Sequence, residues 1–210
     1  MRKKFSDKQI HILEVAEELI AQKGFEGTSV RDISTKANIN VAMISYYFGS
    51  KAKMMSQLYE YRLQRAIANF AEFTGTITDG KPEMQMKEIV KYLVSQMFKY
   101  NFFYGFITQD LRHNAHLKED LLVFYQICAS KLDEVTKKGL ASGVFTFNPK
   151  SEELLYIVLG TTLFAIRNRN FVELYVPHKD DDAQYLKEAE KKIKATVLLS
   201  IFTLLGFVTE

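Results

Sequence analysis

The stretch V-A-M-I-S-Y-Y-F, Val41–Phe48, carries small, apolar and phenolic side chains where a surface helix ordinarily carries charge. Read as a helix, it sets Ile44 and Phe48 four apart on one face. Val41, Ala42 and Ser45 lie on the opposite face, and Met43, Tyr46 and Tyr47 at the flanks. Neighbouring helical positions are rotated by roughly 100°, so Tyr46 and Tyr47 cannot both point inward. At least one phenol faces outward, where its hydroxyl can donate to a phosphate. The side chains of Val41, Ala42 and Met43 cannot hydrogen-bond a base edge; they can only touch thymine methyls or approach closely. The competing reading makes both tyrosines half-buried core aromatics.

The residues before and after this stretch are those needed to hold it in place. Ser29 caps a helix start, and Asp32 three positions later completes a capping box with negative charge in the first turn. Val30, Ile33 and Ala37 form a narrow apolar stripe on that helix. Asn38 sits where the helix must stop, in the left-handed conformation that asparagine tolerates next best to glycine. Ile39 plugs the space between the two helices, and Asn40 is a strong N-cap for the second. Gly49-Ser50 ends it, and Ser50 can cap a long helix from Lys51. Two short helices joined by so tight a turn form a helix-turn-helix, whose second helix enters the DNA major groove.

The run I-L-E-V-A-E-E-L-I-A-Q-K-G-F-E-G-T-S-V-R-D-I-S-T-K-A-N-I-N-V-A-M-I-S-Y-Y-F-G-S-K resembles the N-terminal domain of TetR/AcrR-family transcriptional regulators over about Ile12 to Met55. Its K-G-F, T-S-V-R-D-I and Y-Y-F-G-S-K segments occur in the family's order. The resemblance implies phosphate contacts at Thr28, Tyr46, Tyr47 and Lys51, and base-edge contacts at Val41, Ala42 and Ser45. Many members carry Lys or Gln where this chain has Val41, and Tyr where it has Ser45. Direct readout is therefore expected to be modest, with thymines and DNA shape supplying much of the specificity.

Charge fits a nucleic-acid partner without proving one. The chain has 28 basic and 25 acidic side chains, net +3. Residues 1–55 hold nine Lys/Arg against six Asp/Glu, and the rest of the chain holds nineteen of each. Arg2, Lys3 and Lys4 form a short basic arm suited to a DNA backbone or minor groove, or simply a solvated tail. The single cysteine, Cys128, excludes an intrachain disulfide and fits a reducing cytoplasm; it reads as a small core residue, or alternatively a redox sensor. The longest apolar run, Thr196–Val208, falls short of the ~20 residues that span a bilayer. No secretory h-region follows the basic start. A cytoplasmic protein without membrane contact is expected.

The fold is expected to be all-α. Residues 1–53 would form a three-helix DNA-binding domain with the start of a connecting helix, and residues 54–210 a larger helical effector-binding and dimerisation domain. The polar stretch Thr74–Pro82 is the clearest break between them. Spacing predicts helices over Lys51 to about Phe73, Glu83–Tyr104, a short one near Phe106–Arg112, His116–Gly139 with Gly139 as its stop, Glu152–Asn170 and Gln184–Phe207. The second domain is dense in aromatics, with Phe98, Tyr100, Phe102, Phe103, Tyr104 and Phe106 crowded together. An aromatic stripe is ordinarily core. The resemblance, however, implies a helical box around a small-molecule pocket, and this density suits a hydrophobic or aromatic effector. Tyr92, Phe98, Phe102, Phe106, Tyr125, Phe164 and Arg167 are the candidate lining. Arg167 also reads as a dipole partner at a helix C-terminus.

The last two helices carry apolar faces at Ile157, Gly160, Thr161, Phe164, Ile193, Val197, Ile201, Leu204 and Leu205. These are either consumed within one subunit or, as the resemblance implies, form a four-helix seam between two. No cofactor, metal site or catalytic residue is expected. The pair His113 and His116 lacks a matched third ligand, and no glycine-rich phosphate loop or nucleophile motif occurs. The resulting expectation is a dimeric repressor that a small effector releases from a double-stranded DNA operator. The alternative is a DNA-binding protein that acts through a protein partner without an effector.

Overall fold

The computed structural model describes residues 4–110, 114–176 and 181–207, and for residues 105, 106 and 108–110 the backbone alone. Every regular element among the described residues is helical. Phe106, Arg2, Lys3 and His113, singled out above, lie outside the described side chains.

Helices α1 (Asp7–Lys23), α2 (Val30–Lys36) and α3 (Val41–Phe48) are set by local rules. Ser6 and Gln9 close a capping box at the start of α1. Its residues Ile12, Leu13, Ala16, Leu19 and Ile20 are buried at helical spacing. Ser29 and Asp32 close the second box, with Asp32 accepting from the Ser29 amide at 2.8 Å. Those hydrogen bonds hold the Asp32 carboxyl below its ordinary range. Asn38 has φ 53°, the left-handed stop expected of it. Asn40 caps α3 by accepting from the Ala42 amide at 2.9 Å. Gly27 is required for a different reason: a Cβ there would lie 2.2 Å from the Lys23 carbonyl oxygen.

The remaining helices are α4 (Lys51–Thr76), α5 (Pro82–Lys99), α6 (Asn101–Asp110), α7 (Ala115–Ala141), α8 (Ser151–Arg167), α9 (Arg169–Val172) and α10 (Asp182–Leu204), with a 3-10 turn at Glu173–Tyr175. The helix expected over Glu83–Tyr104 breaks at Tyr100, where ψ turns to 43°, and restarts as α6. The one expected over Glu152–Asn170 breaks at Asn168, whose side-chain amide donates to the Phe164 carbonyl at 2.9 Å. Neither break carries Gly or Pro, so apolar spacing alone runs straight through both. Gly139 does not stop α7 as expected. It lies inside the helix, where a Cβ would sit 2.0 Å from the Phe145 ring, and Gly143 at φ 74° follows the helix end instead.

The chain divides into two compact units, Met1–Ala66 with Gln109–Asp120, and Ile67–Thr108 with Leu121–Glu210. The division falls inside α4, which continues unbroken through residue 54 and through Thr74. In the first unit α2 packs on α1 and α3 on α2. There Arg62 pairs with Glu17, its Nε donating at 2.6 Å, and the Tyr61 hydroxyl donates to Glu14 at 2.8 Å. In the second unit α5, α8 and α10 pack against one another around Ile89, Val90, Leu93, Val158, Val197 and Ile201. Arg169 ties α9 to α10 by pairing with Glu173 and Asp182 over the Tyr185 ring.

Candidate nucleic-acid interface

The inner face of α3 is fixed by Ile44 and Phe48, both fully buried. Val41, Ala42 and Ser45 are exposed and Met43 is half-buried, as the helical rotation requires. Tyr46 is 80% exposed, whereas Tyr47 is half-buried and meets it edge-on at 5.1 Å. Tyr47 also lies against Phe48 at 6.2 Å, which fixes the phenol pair to the core side chain beneath it. The result is a short helix clamped from below, with an uncharged outer face and an exposed phenol at its flank. Such a face can follow a groove wall closely and leave hydroxyls near the backbone phosphates.

Lys51 begins α4 under Ser50, whose hydroxyl accepts from the Lys53 amide at 3.1 Å. Its ammonium donates to the Phe25 carbonyl and lies 3.9 Å from the centre of the Phe25 ring. Lys51 is thus a tie between the loop after α1 and the start of α4. Thr28 is placed differently from the phosphate contact that the resemblance implies. Its side chain is fully buried and its hydroxyl donates to the Gly24 carbonyl at 2.9 Å, so it braces the turn before α2. His11 is a positioning residue that sequence reasoning missed. Its Nε2 lies 3.2 Å from the Ala37 carbonyl at the end of α2, a contact across 26 residues that no local signal marks.

The expected effector residues do not converge on one described cavity. A shallow groove of about 440 Å³ opens between α4 and α7, lined by Phe70, Ala71, Thr74, Val123, Gln126 and Ile127 among others. None of the seven candidates lines it. Tyr92 stacks on Phe73 at 4.1 Å, Phe98 is buried, and Phe102 and Tyr125 are half-buried. Phe164 and Arg167 are exposed near the end of α8.

The apolar face of the last helices is likewise split. Val197, Ile201 and Leu205 are fully buried within one chain, and Ile157, Thr161 and Ile193 are half-buried. Packing against α5 and α8 takes up that side of α10. Gly160 and Leu204 stay exposed. The surface left bare lies one step round, at Tyr156 (67% exposed), Gly160 and Phe164 (53%) on α8 and Leu199 (71%) on α10. No helix among the described residues is long and apolar enough to cross a membrane. No described group of His, Cys, Asp and Glu is arranged to hold a metal.

This geometry defines a helix-turn-helix protein with a larger helical second unit. Residues 12–58 match the sequence profile of the bacterial regulatory proteins of the tetR family. The chain is similar to the probable HTH-type transcriptional regulator YttP of Bacillus subtilis, 29% identical over 54% of this chain and 55% of that protein. It is similar to the HTH-type transcriptional repressor NicS of Pseudomonas putida, 28% identical over 64% of each chain. The matched stretches therefore span between about half and two thirds of these relatives. In fold it resembles a TetR/AcrR-family regulator from Thermobifida fusca, with TM-score 0.67 and 16% identity over 92% of this chain and 97% of that one. It also resembles FadR from Bacillus subtilis, solved in complex with stearoyl-CoA, with TM-score 0.60 and 16% identity over 95% and 99%. Over residues 12–58 the chain thus carries the tetR-family sequence pattern, and its fold resembles that of a TetR/AcrR-family regulator.

Proposed function

We propose that this chain is a transcriptional repressor that binds a double-stranded DNA operator as a homodimer and is released by a small, apolar or aromatic effector. The observation that carries the reading is the bare outer face of α3, with Tyr46 80% exposed beside exposed Val41, Ala42 and Ser45 over a clamped inner face. Nothing in a free-standing helical bundle calls for such a surface on so short a helix, whereas a DNA groove does. Tyr46 and Tyr47 contact phosphate oxygens, and Val41, Ala42 and Met43 touch thymine methyls. The similarity to a repressor, NicS, supports the direction of the output.

The exposed stripe Tyr156–Gly160–Phe164 with Leu199 pairs with the same stripe of a second copy. A twofold pair sets two recognition helices about one DNA turn apart, ~34–36 Å. The effector occupies the aromatic second unit, and α4, which contributes to both units, carries the change in spacing. The effector relieves repression only as far as it prefers the conformation that does not fit DNA.

The test is fluorescence anisotropy with DNA from immediately upstream of the coding region, titrated in salt, for the native protein and for Tyr46→Phe and Tyr47→Phe. Tight, salt-sensitive binding that both substitutions weaken is expected. Binding indifferent to both, on this DNA and on sites selected from random sequence, would refute the placement of α3. An invariant G-rich half-site in that selection would refute the thymine and shape readout. Failure of any compound to release DNA would favour the protein-partner reading.

A further inference from the structure

Phe171, Leu174 and Tyr175 are 50%, 74% and 59% exposed, three large apolar side chains on the short segment formed by α9 and the 3-10 turn. The segment is firmly held. Val172 and Val176 are buried, Arg169 pairs with Glu173 and Asp182, and the Lys192 ammonium donates to the Tyr175 carbonyl at 2.8 Å. A pinned segment that buries its valines and leaves its rings bare forms a surface rather than a frayed loop.

That surface continues the bare face of α8 and α10. Phe171 meets Phe164 edge-on at 5.8 Å and Tyr175 at 5.3 Å, so the rings run in a row from α8 to the 3-10 turn. On α10, Lys192, Thr196, Leu199 and Thr203 are all exposed at helical spacing, so the lysine that holds Tyr175 shares a face with Leu199. This face can lose its water at little cost. The Thr196 hydroxyl donates to the Lys192 carbonyl at 3.1 Å and the Thr203 hydroxyl to the Leu199 carbonyl at 2.8 Å, so covering them orphans no donor. Past Lys192 the face carries no charge through Thr203, so two copies of it meet without repulsion.

Area decides how much of this surface a dimer needs. At about 200 Å² for a large side chain, the bare fractions of Tyr156, Phe164 and Leu199 come to roughly 400 Å². Paired with its copy, that stripe buries about 800 Å² in total, short of the ~1,200 Å² at which stable interfaces begin. Phe171, Leu174 and Tyr175 raise each partner to about 750 Å², close to the ~800 Å² of a standard interface. A bare apolar patch of that size is rare on a protein that stays alone.

We infer that the α9 segment is an arm of the dimer: Phe171, Leu174 and Tyr175 of each subunit pack against a second copy of this chain, and the stripe on α8 and α10 holds two subunits together only with them. This rests on the reading of the chain as a homodimer and names the segment that completes its seam.

The test is sedimentation equilibrium of the full-length protein, native and with Leu174→Glu, Leu174→Ala, Leu199→Glu or Leu122→Glu. Leu174 is the most exposed of the six side chains, so its replacement should leave helix content unchanged in circular dichroism. Leu174→Glu should raise the dimer dissociation constant about a hundredfold, since two leucine contacts are lost and two charges enter the interface. Leu174→Ala should raise it about tenfold, an effect without any added charge. Leu122 is exposed on α7 outside the patch, and Leu122→Glu should change the constant by no more than about twofold. Leu174 variants that dimerise like the native protein would overturn the inference; if Leu199→Glu then dissociates, the homodimer reading stands without the arm. Dissociation by both Leu174 variants with Leu199→Glu still dimeric would uphold the arm and refute the stripe. Equal dissociation by Leu122→Glu would sink the inference by showing that the site of the charge does not matter. A native protein that is monomeric at micromolar concentration would refute the arm and the homodimer together.

Discussion

Lys51, like Thr28, is a residue at which family resemblance and structure give different accounts, and at Lys51 one substitution separates them. The resemblance implies a phosphate contact, whereas the structure ties the ammonium to the Phe25 carbonyl and the Phe25 ring. A hydrogen bond from a charged donor contributes about 1.5–3 kcal/mol. The ring contact adds about 0.5–1 kcal/mol. Lys51 is half-buried, so solvent takes back part of this sum, and Lys51→Ala is expected to cost about 2 kcal/mol. With a denaturant slope of about 2 kcal/mol/M, the urea midpoint falls by about 1 M. The second reading is the salt dependence of operator affinity, whose log–log slope drops by about 0.9 for each phosphate that the protein no longer neutralises. If Lys51 is mainly a tie, the slope for the dimer changes by much less than about 1.8 while the midpoint drops. A variant that unfolds like the native protein but whose slope falls by about 1.8 would refute the structural account.

Three further outcomes follow from particular contacts. Burial pushes the Cys128 thiol up to about 12, so labelling of the native protein by a disulfide reagent at pH 8 should be slow and accelerate only on unfolding; labelling at the rate of a free thiol would place Cys128 at an accessible surface. Gly139→Ala should destabilise by about 1–3 kcal/mol despite alanine's helix propensity, because the new methyl meets the Phe145 ring, and Phe145→Leu should restore part of the loss in thermal melts. Burial raises Glu17 above its ordinary value of 4.5, outweighing the Arg62 hydrogen bond. Its folded pKa exceeds its unfolded one, so its contribution to stability is fullest below 4.5 and lost as pH rises through the folded value. The stability difference between the native protein and Glu17→Gln should therefore decline as pH rises, and a difference that grows with pH would reverse the assignment.

What the sequence shows and what it hides divide along a physical line. Ser29, Asp32, Asn38 and Asn40 act on their own backbone neighbours, so the helix-turn-helix and its caps can be read from residue types and spacing. The same holds for Ile44 and Phe48 inward, because a short helix with one packed face leaves a single consistent rotation, whereas spacing left open which of Tyr46 and Tyr47 is the more exposed. Features that depend on distant partners stay hidden. Thr28 reads as a surface threonine until Gly24 is seen to accept its hydroxyl. Gly139 reads as a helix stop until Phe145, held at the far end of the same turn, is seen to need its space. The breaks at Tyr100 and Asn168 have ordinary helix-compatible residues, and only tertiary packing selects them. The effector set suffers most: an aromatic ring in a core and one beside a ligand have the same spacing, and Phe98 proves buried only once its neighbours are placed.

The proposed seam shows how a helix with apolar residues on more than one face misleads by one step. Val197, Ile201 and Leu205 satisfy the spacing for an interface and are instead the core of their own subunit. Leu199 lies on the far side, and Phe164, counted above with both the effector residues and the seam, aligns with Tyr156 and Gly160 at intervals of four on the bare face of α8. A Cβ added at Gly160 meets nothing within its own chain, so that position leaves room for close approach by another helix. Each of the three large side chains is already partly covered by its own subunit, and completing its burial contributes about 1 kcal/mol. A twofold interface counts each contact twice. Leu199→Glu removes two such contributions and must bury two like charges across the axis, a loss of at least about 3 kcal/mol. That corresponds to a dimer dissociation constant raised about a hundredfold. Sedimentation equilibrium should show monomers at micromolar concentration, and operator affinity should fall with them, since the two half-sites are then bound separately. Val197→Glu should instead unfold the second unit. If Leu199→Glu stays dimeric and binds DNA as before, the seam lies elsewhere on the surface and the exposed stripe on α8 needs another partner.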